Sequence, residues 1–111
     1  MRKLRTFKEA LHEDLKDPLE AKAYIEIALE NYEEDHDAEA FLMALRDVAQ
    51  AQGGITRLAE RTHLNRQNLY RALSNRGNPK LDTIGTILHG LGFRLSIQTL
   101  SQRNLHRATT P

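Results

Sequence analysis

Residues 64 to 79 read LNRQNLYRALSNRGNP and set three arginines, four asparagines, a glutamine and a tyrosine among the apolar positions Leu69, Ala72 and Leu73. Guanidinium and carboxamide groups pair bidentately with base edges, Arg with guanine and Gln or Asn with adenine, when a short helix lies in a DNA major groove. On a helix beginning at Arg66, positions 66, 67, 70 and 71 share an outer face while 69, 72 and 73 turn inward. Arg66, Gln67, Tyr70 and Arg71 are therefore the candidate base-reading residues. Groups suited to phosphate oxygens surround them: the Thr56 hydroxyl and the amides near Gly54 at one helix start, Asn65 and Asn68 at the next, and Arg76, Asn78 and Lys80 in the loop that follows. These fix register and carry no sequence information.

The distribution of charge supports a nucleic-acid partner. Over all 111 residues the net charge is +1, but residues 1 to 52 hold 7 Lys+Arg against 13 Asp+Glu and residues 53 to 111 hold 9 against 2. The halves are thus −6 and +7, and the cations that neutralise phosphates lie in the half that carries the candidate face. Forty per cent hydrophobic and 28% charged residues suit one globular domain with an appendage and argue against wholesale disorder. With no tryptophan and few other aromatics, the core is expected to be Leu, Ile and Ala.

The absence of cysteine removes disulfides and thiolate chemistry and fits a reducing cytosol. No run approaches the roughly 20 apolar residues of a membrane span, and the start MRKLRTFKEA leads into charge rather than an apolar signal core, so the chain reads as cytoplasmic with no membrane partner.

The elements that would position the face follow from periodicity and punctuation. A first helix over about Thr6 to Lys16 has Phe7, Leu11 and Leu15 at intervals of four. DPLE starts the next, with Asp17 as cap, Pro18 in the first turn and Glu20 completing a capping box; an Ala21, Ile25, Ala28, Leu29, Tyr32 stripe carries it to about Glu34. EEDHD ends it, and Asp37 caps a helix through Phe41, Leu42, Leu45, Val48 and Ala49 that Gly53 closes with a left-handed residue. Two short helices follow, Ile55 to about Thr62 with Leu58 and Ala59 inward, and Arg66 to about Ser74 capped by Asn65; their tight link suggests a helix-turn-helix. NRGNP is a loop, and Leu81, Ile84, Leu88 and Leu91 mark a helix from Leu81 to about Gly90.

After Gly92 the period changes. FRLSIQTL alternates Phe93, Leu95 and Ile97 with polar residues, the pattern of a strand with one apolar face. A lone strand needs a mate, and a two-stranded seam across a homodimer axis is preferred over pairing with a partner protein or with RKLRTF at the N-terminus. The tail from about Ser101 is polar.

Other chemistries find less support. The five histidines, at 12, 36, 63, 89 and 106, have no metal-ligand spacing, and EEDHD lacks the alternating ligands and glycine of a calcium loop. There is no nucleophile elbow around Ser74, Ser96 or Ser101 and no glycine-rich phosphate loop. No catalytic residue, metal or cofactor is assigned, and Tyr70 is read as a stacking or phosphate-contact residue rather than a nucleophile.

The segment GGITRLAERTHLNRQNLYRALSNRGNPKLDTIGTILHGLGFRLSI resembles the Xre-type helix-turn-helix domain. With DPLEAKAYIEIALE and FLMALRDVAQAQGG, the chain to about Leu100 is similar to the addiction-module antidote proteins, a HigA-like antitoxin group; LxRxxLYRALSxxGNPxxxT is the specific part of the match. The resemblance implies a dimeric DNA-binding antitoxin that neutralises a RelE/ParE-like toxin and represses its own operon. Within the segment, Arg66, Gln67 and Arg71 match the usual base-contacting places of Xre-type recognition helices. The chain departs from the pattern at His63, where the turn between the two helices usually has a glycine.

The expected architecture is all-α, a five-helix helix-turn-helix (lambda-repressor-like, Xre) domain with an N-terminal helical extension and one C-terminal dimerising β-strand. Residues 1–36 form the acidic extension, 37–92 the DNA-binding domain, and 93–111 the strand and polar tail. The expected function is a type II antitoxin that binds an inverted-repeat operator and a toxin. Two other readings stand beside it: a toxin-capturing protein whose turn at His63 has lost DNA binding, and a plain Xre-type repressor without a toxin.

Overall fold

A computed structural model of the chain describes residues 6–100. Six helices form among them: α1 (Phe7–Asp14), α2 (Pro18–Asp35), α3 (Glu39–Ala51), α4 (Gly54–Thr62), α5 (Arg66–Ala72) and α6 (Leu81–Gly90). Every helical segment expected from the sequence is present, so a count of five falls one short.

Local chemistry sets most of the boundaries. Thr6 opens α1 with a full capping box, its hydroxyl accepting from Glu9 N at 3.0 Å while Glu9 Oε1 accepts from Thr6 N at 2.9 Å. Asp17 caps α2 by accepting from Leu19 N at 2.9 Å, with Pro18 in the first turn. The expected box with Glu20 does not close, because the Asp17 amide already donates to Asp14 O at 3.1 Å. At the other end of α2, His36 takes a left-handed conformation with φ 58°. Ala38, not Asp37, occupies the N-cap of α3; Asp37, one residue earlier, still accepts from Glu39 N at 3.0 Å through Oδ1, and Gly53, with φ 114°, ends the helix. Gly92 ends α6 in the same way: its amide donates to His89 O at 3.0 Å and the Phe93 amide to Leu88 O at 2.8 Å, the bond pair of a Schellman motif.

The core is one cluster centred on α3, which packs against α1, α2 and α4, while α4 also packs against α5 and α6. Phe41, Leu42, Leu45, Val48 and Ala49 of α3 are all buried, and they meet Ala21, Ile25 and Ala28 from α2 and Leu15 after α1. Burying a Leu or Val of this kind fully contributes about 1.5–3 kcal/mol each. Leu58, Leu69, Leu73, Ile87, Leu88 and Leu91 continue the cluster toward the C-terminus. At Gly90 a Cβ would lie 2.5 Å from Thr62 Cγ2 and 2.7 Å from Leu58 Cδ1, so a larger residue there would displace the side chains by which α4 meets α6. Three residues of the expected helical stripes face out: Phe7, 82% exposed, and Leu81, 69% exposed, both at the first position of a helix that overhangs the core, and Leu29, 38% exposed, at the edge of the α2 stripe.

The expected C-terminal strand does not form: no strand is present among the described residues, and the segment from Phe93 to Thr99 follows α6 without regular structure. Phe93 is half-buried against the core, Leu95 lies beside Gly85 of α6, and Ile97 is 95% exposed. Alternation makes a segment able to be a strand, but only a hydrogen-bonded ladder makes it one, and among the described residues no extended neighbour runs alongside. The dimerising role assigned to Phe93, Leu95 and Ile97 falls with it. The polar tail from Ser101 and most of RKLRTF lie outside the described residues.

Candidate nucleic-acid interface

The face carried by α5 is positioned from both of its ends. Upstream, α4 begins at Gly54, φ 91°, directly after the left-handed Gly53. It ends at His63, which takes φ 62° and donates its amide to Ala59 O at 2.8 Å. His63 therefore supplies the left-handed residue that glycine would otherwise supply, at a cost of about 1–2 kcal/mol of backbone energy. Thr62 knits the link from within, its hydroxyl donating to Leu58 O at 2.8 Å and accepting from Leu64 N at 3.2 Å. Asn65 Oδ1 then accepts from Gln67 N at 2.7 Å and Asn68 N at 3.2 Å, the N-cap expected of it. That cap occupies Oδ1 and leaves the Nδ2 amide for other partners.

Downstream, three groups hold the end of α5. Arg46 of α3 donates from Nη1 to Leu73 O at 2.7 Å, and Ser74 Oγ donates to Arg71 O at 2.8 Å. Gly77 folds back so that a Cβ there would collide with the Ala72 carbonyl oxygen, while its own amide donates to Ser74 O at 2.9 Å. The NRGNP loop is thus pinned against the helix rather than free of it.

Between these anchors α5 buries Leu69, Ala72 and Leu73 and exposes Arg66, Gln67, Asn68, Tyr70 and Arg71. Tyr70 is 56% exposed, large for an aromatic ring on a helix whose other side is fully packed. Thr56, Asn65, Arg76, Asn78 and Lys80 are exposed as well, and Gly54 is half-buried. The chain thus brings one run of polar side chains onto α5 and its flanking loop, with Gly54 and Thr56 on the first turn of the preceding helix. Among the described residues the two ion pairs are Lys16 with Glu13 and Lys22 with Glu26, both in the acidic half. Arg57, Arg66, Arg71, Arg76 and Lys80 therefore carry cations that no carboxylate of the described chain neutralises.

Four contributors to this site are not legible as such in the sequence. Arg46 sits in the acidic half, Thr62 reads as an ordinary helix end, and Gly77 reads only as a loop residue. Arg57, exposed on α4 beneath Gly53, reads in the sequence only as one cation of the basic half.

Comparison with known proteins adds a family to the geometry. Residues 9–99 match the model of a family described as probable addiction module antidote protein. The chain belongs to this antidote family. The antidote-family chain is also similar to an uncharacterized protein of Haemophilus influenzae (strain ATCC 51907 / DSM 11121 / KW20 / Rd), 28% identical over 85 residues that cover 77% of this chain and 87% of the relative. No solved structure matches it. An antidote family implies a toxin counterpart of some kind. No helix among the described residues is long and apolar enough to cross a membrane.

Proposed function

We propose that this chain is the antitoxin of a type II toxin–antitoxin module, a HigA-like, Xre-type protein. It represses its own operon through a helix-turn-helix formed by α4 and α5 and neutralises a RelE/ParE-like toxin by direct binding. One observation carries the DNA-reading part: α5 packs Leu69, Ala72 and Leu73 inward and turns Arg66, Gln67, Tyr70 and Arg71 outward with no acidic partner. In a major groove, Arg66 and Arg71 would address guanine, Gln67 adenine, and Tyr70 a phosphate or thymine methyl. Arg76, Asn78 and Lys80 would hold the following phosphates, with Thr56, Asn68 and the free amide of Asn65 on the preceding ones. The chain acts by binding and has no catalytic step.

The left-handed backbone of His63 supports this reading over one in which the turn has lost its geometry and the chain only captures a toxin. Two copies would read an inverted-repeat operator, with half-sites about 34–36 Å apart or a multiple of that.

The test is fluorescence anisotropy on duplex DNA from upstream of the gene against a scrambled duplex, at two salt concentrations. Tight, site-preferring binding that weakens steeply with salt is the expected result. Equal weak binding to both duplexes would remove the repressor from the proposal and leave the toxin as the partner to pursue.

A further inference from the structure

The second face of the molecule lies on α2. This helix carries six carboxylates against one lysine, and that lysine is already held by Glu26 at 3.2 Å. Its inner side, Ala21, Ile25 and Ala28, is buried on α3. On the opposite side, positions 19, 23 and 27 follow one another at intervals of four and fall in a single row. Leu19 is 75% exposed and Ile27 58%, with the exposed Ala23 between them. Glu20, Glu30 and Glu34 rim this row and make no ion pair among the described residues.

Two large aliphatic side chains two turns apart on the solvent side of a helix cost solubility and add little to the core. A solvated helix face needs only the carboxylates. The combination of an apolar ridge with an acidic rim is the arrangement by which a preformed helix seats in a partner's groove, the apolar anchors filling pockets and the charges steering approach.

We infer that the outer face of α2 is the docking surface for a basic protein, one whose groove has an apolar floor for Leu19, Ala23 and Ile27 and a rim of Lys and Arg for Glu20, Glu30 and Glu34. The inference rests on the antitoxin reading, and it names the surface on which the toxin is held. It also separates the two functions in space, since the acidic ridge on α2 and the cationic face on α5 belong to different helices with opposite charge.

The probe is the purified product of the reading frame adjacent to the gene, titrated by calorimetry into the full-length protein and two double variants. Leu19→Lys with Ile27→Lys keeps helix-forming side chains and should weaken binding at least 100-fold while thermal unfolding and operator binding stay as in the parent. Glu30→Gln with Glu34→Gln should slow association several-fold and flatten its salt dependence with little change in dissociation. If the parent binds and the Lys variant binds equally well, the α2 surface is wrong and the antitoxin reading survives. If the parent binds no adjacent product at all, both fail together. A Lys variant that sediments as a smaller species with unchanged partner binding would make α2 an interface between copies of this chain and overturn the proposal.

Discussion

Arg46 on α3 donates from Nη1 to the Leu73 carbonyl oxygen at the end of α5, a 2.7 Å bond spanning 27 residues of sequence. A helix of seven residues is too short to hold itself together in water, so α5 owes its direction to what it is tied to. The apolar side of α5 fixes its rotation, and Arg46 fixes where it stops. Replacing Arg46 with Ala should cost about 1.5–3 kcal/mol, the range for a hydrogen bond to a charged group, and should also weaken DNA binding although Arg46 is not on the exposed face. Urea unfolding checks the first part, and an unchanged midpoint would show that the bond contributes nothing.

His63 offers a test of opposite sign. Its left-handed backbone, φ 62°, is one that glycine adopts without strain. Relief of about 1–2 kcal/mol, less the roughly 0.4–1 kcal/mol that glycine adds to the unfolded chain's entropy, predicts that His63→Gly stabilises by up to about 1.6 kcal/mol. His63→Val, with its branched Cβ, should destabilise by at least about 1 kcal/mol. A loss of stability in the glycine variant would mean that the imidazole makes a contact that offsets the strain.

Between α2 and α3, Tyr24 donates its phenol hydrogen to Asp47 Oδ2 at 2.6 Å. Burial of the ring, then the hydrogen bond to the carboxylate and its charge, push the Tyr24 phenol up to about 12 from its usual 10. The folded state therefore holds this proton more tightly than the unfolded state. The stability it contributes is complete below pH 10 and is lost as pH rises through about 12. Tyrosinate absorbance should show one of the three tyrosines ionising late, and Tyr24→Phe should remove that phase at a cost of about 1 kcal/mol.

Short-range signals are legible in the sequence. Asp17, Asn65, Gly53 and Gly92 act within a few residues of themselves, so each boundary they set is legible from type and position. Leu69, Ala72 and Leu73 obey the helical period and are buried as that period requires. What could not be read has partners far along the chain: Arg46 with Leu73, Tyr24 with Asp47, Gln52 with Leu91. Periodicity also says nothing of where a helix overhangs its neighbours, which is why Phe7 and Leu81 fit their stripes and face solvent. The segment after Gly92 shows the limit most plainly, because alternation describes one edge of a sheet and a sheet needs two. The polar face of α5 was legible because it depends only on where the helix starts and which side is apolar, and the exposed ridge on α2 was hidden because its acidic residues read as an ordinary solvated surface.

The most direct test of DNA reading by α5 compares cognate and random duplexes across three variants of the full-length protein. Arg66→Ala and Gln67→Ala should each lose about 1–3 kcal/mol of preference for the cognate site and leave random binding nearly unchanged. Lys80→Ala should weaken both duplexes alike and lower the salt dependence by about one counterion. Equal losses on cognate and random DNA for Arg66→Ala and Gln67→Ala would contradict base reading by this helix.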